Sequence, residues 1–376
     1  MRRRPIAWTV VAAASVALAC TFPGGAGVPA NALATGVSAT LTALAEASPS
    51  SPPEASPTPE PTAFPLRPAF VWMCYHCGGT EAWRLGPGAP ARITLPVSVG
   101  QFYDYNHISD QIAYAQVFAD HGAGPGNLAV SDLSLLTVAT GEVITLFPDN
   151  VVEALWSPDG LHLAYVLATD TTYELRVRDL SGEDRLLARD VSFSWSFSPS
   201  GDAIAFTRES GYETPGSPGL YVVSLRTGAE VRLSDVDKSG TGGIEDRPVW
   251  TLDGEYVVLC HWGGPAPPRI VMAPADGSAS WDITLDESMS SEWWYTPSIS
   301  GLLWFPDGTQ VLALPTASME MGGPPPLILF TYNAATHTFG GGIQLGTVNG
   351  FVDWDVPGES LWVLAVGGQV ERMATP

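Results

Sequence analysis

Short apolar runs separated by glycine and proline fill residues 67–376, and none has the length or period of a helix. Several are apolar at consecutive positions, as in Leu163-Ala164-Tyr165, Val257-Val258-Leu259 and Val311-Leu312-Ala313. A strand of that kind is buried on both faces. Two further strand-like segments follow within a unit: Glu174 to Leu180 then Arg185 to Ala188, Leu220 to Leu225 then Glu230 to Leu233, Leu327 to Tyr332 then Gly342 to Leu345. Ser181-Gly182, Thr227-Gly228 and Asp276-Gly277 supply hairpin turns between such segments. The pattern predicts an all-β domain of four-stranded units.

A turn frame recurs ahead of each buried strand. Trp156-Ser157-Pro158-Asp159-Gly160 is its plainest copy. Phe197-Ser198-Pro199-Ser200-Gly201, Trp250-Thr251-Leu252-Asp253-Gly254, Trp304-Phe305-Pro306-Asp307-Gly308 and Trp354-Asp355-Val356-Pro357-Gly358 repeat it, and a worn copy begins at Tyr105. The aromatic anchor ends a strand, Pro sets φ, Asp bonds back to the turn's own amides, and Gly supplies the left-handed position. The anchors Tyr105, Trp156, Phe197, Trp250, Trp304 and Trp354 lie 51, 41, 53, 54 and 50 residues apart. Strand-rich repeats of that length stack radially as propeller blades.

These motifs resemble the WD-like repeats of TolB-type β-propellers, which also occur in the propeller domains of prolyl-oligopeptidase relatives and tricorn-like proteases. The resemblance implies a single ring of six or seven mostly four-stranded blades. The stretch Phe70 to Met73, Glu81 to Leu85 and Ala91 to Leu95 matches the later strands of a blade, and the last unit has two strands and a third at Gln369 to Met373. A shared closing blade would give six; two incomplete blades give seven, which is preferred because six leaves a terminal hairpin to be housed. The family hosts periplasmic scaffolds, protease gating domains and a few lyases, so the resemblance speaks to fold far more than to activity.

The amino terminus changes the picture. Residues 1–20 carry Arg2, Arg3 and Arg4, an uncharged apolar run and then Ala17-Leu18-Ala19-Cys20, the layout of a secretory signal. Its end resembles a bacterial lipobox, in which Cys20 becomes the lipidated first residue of the mature chain; the family's preferred leucine three before the cysteine is Ala17 here, and its small residue two before is Leu18. The alternative is ordinary cleavage and release. Residues 21–66 are rich in Ala, Thr, Ser and Pro and hold only Glu46, Glu54 and Glu60 as charges, so they read as a disordered tether. As a coil it spans about 40 Å. Residues 67–376 form the propeller, exported and anchored to a membrane through lipid alone.

The 376-residue chain has 17 basic and 39 acidic residues, a net charge of −22. Without the three arginines of the signal and the three glutamates of the tether, 36 acids face 14 bases, so the folded domain carries all of it. Such a surface repels nucleic acid and anionic lipid. In a four-stranded blade the first-to-second and third-to-fourth turns share one face, here short, while long loops gather on the other. That long-loop face, with Glu209, Tyr212, Asp237, Glu245, Asp246, His261, Trp262, Glu292, Trp293, Trp294 and Tyr295, is the candidate binding surface for a cationic protein segment or a glycan. The competing reading has its loops lengthened freely and its tryptophans packed on neighbouring loops.

Candidate chemistry is sparse. Cys74 and Cys77 are read as a local disulfide or a pair of structural thiols, and a single Cys-x-x-Cys does not make a zinc site. No metal or cofactor is expected. Neither a Gly-x-Ser-x-Gly elbow nor a nucleotide fingerprint occurs. Acid pairs such as Asp353 with Asp355 or Glu245 with Asp246 fit glycosidase carboxylates, but pairs like these arise by chance in so acidic a chain. The expected function is non-catalytic binding of a protein or glycan by a monomer; the alternative is an exported glycosidase or lyase with its site at the central channel.

Overall fold

The computed structural model describes residues 70–74, 81–85, 91–95, 101–116, 118–119, 130–170, 172–192, 194–208, 218–235, 247–261, 269–285, 298–316, 326–356, 359–365 and 370–375. All regular elements among them are strands. The chain divides into Met1–Thr62 and a compact unit, Ala63–Pro376, that holds every described residue.

An antiparallel three-stranded group opens the fold: β1 (Phe70–Cys74), β2 (Glu81–Leu85) and β3 (Ala91–Ile93). The second group pairs β4 (Gln101–Asn106), β5 (Gln111–Ala115), β7 (Val130–Thr137) and the first half of β8 (Val143–Trp156), with the short β6 (Phe118–Ala119) beside β7. The second half of β8 then leads the third group, with β9 (His162–Ala168), β10 (Tyr173–Asp179) and β11 (Asp184–Arg189). β12 (Trp195–Phe197), β13 (Ala203–Arg208), β14 (Gly219–Ser224) and β15 (Glu230–Ser234) form the fourth. The fifth comprises β16 (Val249–Trp250), β17 (Tyr256–His261), β18 (Arg269–Pro274) and β19 (Trp281–Leu285). The sixth comprises β20 (Ser298–Trp304), β21 (Gln310–Thr316), β22 (Pro326–Asn333) and the first half of β23 (Thr338–Val356). The rest of β23 pairs with β24 (Ser360–Ala365), and β24 with β25 (Val370–Ala374), where pairing among the described residues stops.

The second strand of each central group is apolar on both faces because each face packs on a different neighbour. In β9, Leu163 and Tyr165 pack with Ala113, Leu133 and Leu135 of the second group, whereas Ala164 and Val166 pack with Ile204 and Phe206 of the fourth. The alternation continues: Val257 and Leu259 meet Ala205 and Val222, and Val258 and Cys260 meet Val311 and Ala313. Leu312 and Leu329 then meet Leu361 and Val363 of the last group. From the second group to the last, the core is therefore a series of apolar layers, one between each successive pair. The anchors Tyr105, Trp156, Trp250 and Trp304 are buried, while Phe197 and Trp354 are partly so.

The turn frame works as its residues require. Ser157 Oγ accepts from the His162 amide at 2.9 Å and donates to Asp159, whose Oδ1 accepts from the Leu161 amide at 3.0 Å. Thr251 and Asp253 repeat this on the Tyr256 and Glu255 amides. Gly160, Gly201, Gly254 and Gly308 all hold φ between +67° and +77°. Successive turns also touch. Asn106, fully buried, donates to the Gly160 carbonyl at 2.7 Å, and a Cβ built on Gly201 would lie 3.1 Å from the Asp159 carboxyl carbon.

One joint was not foreseen from the sequence. β19 pairs in parallel with β23 through Thr284–Thr338 and Leu285–Phe339, joining the outer edges of the fifth and sixth groups. Trp281, at the start of β19, packs against His337 with ring centroids 4.6 Å apart and the planes tilted by 36°, and its indole N–H donates to the Tyr332 hydroxyl. Burial pushes that hydroxyl's pKa above the ordinary tyrosine value.

Candidate functional site

The leading strands of successive groups adjoin one another, β4 with β8, β12 with β16, and β16 with β20. Strands that meet in this way line the axis around which the groups turn. Three charged side chains converge there: Asp104 from β4, Glu153 from β8, and Arg247 two residues ahead of β16. Arg247 pairs with Glu153 Oε1. These residues belong to the third and fifth groups, so the ion pair bypasses the fourth, and next-but-one members of a ring reach each other only across its interior.

Each carboxylate there has structural partners. Asp104 Oδ1 accepts from the Tyr105 amide and Oδ2 from the Trp156 amide, both at 2.8 Å, so this side chain ties one leading strand to the next. The Glu153 side chain is largely buried, and its Oε2 has no hydrogen-bond partner among the described residues. The Arg247 side chain is 46% exposed, so part of it is taken out of water. That desolvation draws its pKa below the ordinary guanidinium value, and Asp104 pulls it back up. Ser196 Oγ donates to the Pro248 carbonyl at 2.5 Å, which fixes the backbone next to Arg247.

A second polar network lies away from the axis, on β9, β10 and β11. Arg176 bonds Asp184 at 2.9 Å and Glu174 at 3.0 Å, Arg189 bonds Glu174 at 2.7 Å, and the Tyr165 hydroxyl donates to Asp184. Burial, then Asp184, raises the Tyr165 pKa; burial opposes the Arg176 charge, but Asp184 and the other partners outweigh it and raise that pKa. Every charged member is paired, so the network cements a blade rather than offering a reactive group.

Of the residues singled out in the sequence, Glu209, Tyr212, Asp237, Glu245, Asp246, Trp262, Glu292, Trp293, Trp294 and Tyr295 lie outside the described residues, as do Cys20 and Cys77. His261 ends β17 and Cys74 ends β1, with only their backbone described. Cys260 is a buried thiol. Among the described residues no three His, Cys, Asp or Glu side chains are grouped to hold a metal ion, and no helix is long and apolar enough to cross a membrane.

The axial trio was missed from sequence, although a signal for it existed. Glu153 and Arg247 each stand three residues before an anchor tryptophan, Trp156 and Trp250, the same repeat position with opposite charge.

No protein-family profile matches the chain, and no curated relative does. Solved structures do match. An oligogalacturonate lyase in complex with manganese aligns at a TM-score of 0.52 and 13% identity, covering 82% of this chain and 86% of that one. The fold is that of a β-propeller. TolB from Acinetobacter baumannii matches at a TM-score of 0.44 and 15% identity, over 81% of this chain and 77% of its own. The β-propeller domain of the Trilobed protease from Pyrococcus furiosus matches at 0.47 and 14%, over 81% and 88%. At 13% identity the lyase match speaks to architecture alone and leaves activity open.

Proposed function

We propose that this propeller is a non-catalytic binding module, exported, anchored through a lipid on Cys20 and held off the membrane by residues 21–66. Its partner is a protein or glycan that meets the acidic, aromatic long-loop face around Trp293 and Trp294. The observation that supports binding over chemistry is the state of the axial carboxylates. Asp104 gives both oxygens to backbone amides, and Glu153 gives one oxygen to Arg247 and keeps the other buried, so both hold leading strands in place. A general acid or base needs instead an oxygen free to reach substrate. The charge of the folded domain supports a cationic partner surface and speaks against nucleic acid.

The test is capture from envelope extract by the purified chain. The reading expects one partner, retained by the wild type and lost from the Trp293→Ala/Trp294→Ala variant; equal capture by both would contradict it.

A second reading has one observation in its favour, the buried Glu153 Oε2 at the axis. On that reading the channel belongs to an exported glycosidase or lyase with Glu153 as acid or base. Turnover of a polyuronate or β-glycan by the wild type, abolished in Glu153→Gln, would establish it.

A further inference from the structure

Six large aliphatic side chains are exposed among the described residues: Ile108, Ile144, Leu161, Leu180, Val231 and Ile343. Ile144, Val231 and Ile343 stand on the outermost strands of three separate groups. Ile108, Leu161 and Leu180 instead gather on the short-turn face of two adjacent groups. Gly160 links the first two, since a Cβ built there would lie 2.6 Å from Ile108 Cγ1 and Leu161 is the next residue. Strand register links the last two: His162 faces Asp179 across β9 and β10, so Leu161 and Leu180 leave the two strands side by side. Their exposures are 58%, 48% and 51%, which makes one ridge with about half of each side chain in water. Scattered exposed aliphatics need no explanation, whereas a contiguous set marks a contact surface.

The flanks of the ridge are acidic. Turn residues 107–110, 157–162 and 179–184 include Asp110, Asp159, Asp179 and Glu183 as acids and neither lysine nor arginine; Asp184 is already paired with Arg176, and Arg178 reaches in beside Gly182. Two of these carboxylates are pinned by their own turns. Asp159 accepts from the Leu161 amide at 3.0 Å, and Asp179 from the Ser181 hydroxyl at 2.6 Å and the Glu183 amide at 3.0 Å. A visitor therefore meets an apolar centre bordered by fixed negative charge.

We propose that the Ile108–Leu161–Leu180 ridge docks a basic amphipathic protein segment, its apolar side on the ridge and its lysines or arginines against the flanking carboxylates. Charge complementarity selects this occupant. A second copy of the chain would set acid against acid, and an anionic bilayer would be repelled. The ridge lies on the short-turn face, opposite the end of β19 and the start of β20, and its substitutions leave residues 286–297 untouched, so it stands or fails independently of the binding function proposed above.

The probe is a fluorescein-labelled 18-residue Leu/Lys amphipathic helix, titrated by anisotropy with the full chain at about physiological salt. Controls are a Ser/Lys peptide of equal charge and a Leu/Glu helix. Covering the exposed halves of three aliphatic side chains is worth about 30-fold in affinity. The Ile108→Ser/Leu161→Ser/Leu180→Ser variant should weaken Leu/Lys binding by about that factor, and both controls should bind at least about 10-fold more weakly. A milder Leu161→Gln/Leu180→Gln variant, with an unaltered thermal melt, should lose about 5-fold and guards against misfolding of the triple variant. Equal binding by wild type and both ridge variants overturns the proposal, as does a Ser/Lys peptide that binds as tightly as Leu/Lys. A concentration-dependent dimer that the ridge substitutions abolish would assign the ridge to a second copy and overturn it too.

Discussion

Replacing Gly160 with alanine perturbs two things at once, and a matched glycine separates them. Gly160 and Gly308 occupy the same place in the turn frame with nearly identical φ, +69° and +67°. Alanine in that left-handed region costs about 1 kcal/mol at either site. At Gly308 a Cβ meets nothing within 4 Å, so the cost ends there. At Gly160 it would lie 2.6 Å from Ile108 Cγ1 and 2.7 Å from Asn106 Oδ1. Ile108 is exposed and can swing aside. Asn106 is not: it is fully buried, donates to the Gly160 carbonyl at 2.7 Å, and accepts from the Ile108 and Ser109 amides at 2.8 and 3.2 Å. Displacing it strains or breaks bonds worth about 1 kcal/mol each and leaves a buried amide short of partners, an extra cost of about 2 kcal/mol. Urea unfolding of the two variants in parallel, accepted only if both keep the wild-type m-value, reads the difference directly. Gly160→Ala should be about 2 kcal/mol less stable than Gly308→Ala. Variants equal to within about 0.5 kcal/mol would refute the claim that successive turns lock neighbouring groups together.

Three further outcomes follow from the same structure. Arg247→Ala should destabilise more than Glu153→Gln, because it leaves a largely buried carboxylate unpaired, and a double-mutant cycle should give a coupling of about 1–2 kcal/mol; no coupling would place the two side chains apart. Arg208 lies 4.4 Å from the Tyr221 ring centre and bonds both Glu230 oxygens at 2.8 and 3.1 Å. Arg208→Lys should therefore cost about 1 kcal/mol through the lost stack, and Arg208→Ala about 2 kcal/mol, read by thermal melts. The Ser278 hydroxyl and amide hold the Asp276 carboxyl below the usual carboxylate range. Its contribution is therefore complete above the unfolded value of about 4 and is lost as pH falls through the lower folded value, so Asp276→Asn should flatten the acid limb of the stability profile.

What the sequence reveals here is whatever is encoded within a few residues. The Ser157-Pro158-Asp159-Gly160 turn, the strand after it and the hairpin glycines all follow from local chemistry, and their repetition points to the ring. The six-or-seven question turns on the end groups, whose third and first strands have no local signature of closure. Nor could local pattern reveal the parallel β19–β23 joint, since Thr284 and Thr338 meet only through the packing of two groups. The axial trio is an intermediate case. Glu153 and Arg247 share one position of the repeat, but their meeting depends on leading strands facing a common interior across an intervening group. The tryptophans and acids of the long loops stand out by loop length alone, a property of the scaffold that carries no contact information of its own.

The long-loop face is the proposed place where a partner binds. A photo-crosslinking amino acid at position 293 of the full-length chain, activated in intact cells, tests this directly. One discrete adduct that disappears when Trp294→Ala is added is the predicted result; no adduct at 293, with the protein exported and folded, would contradict it.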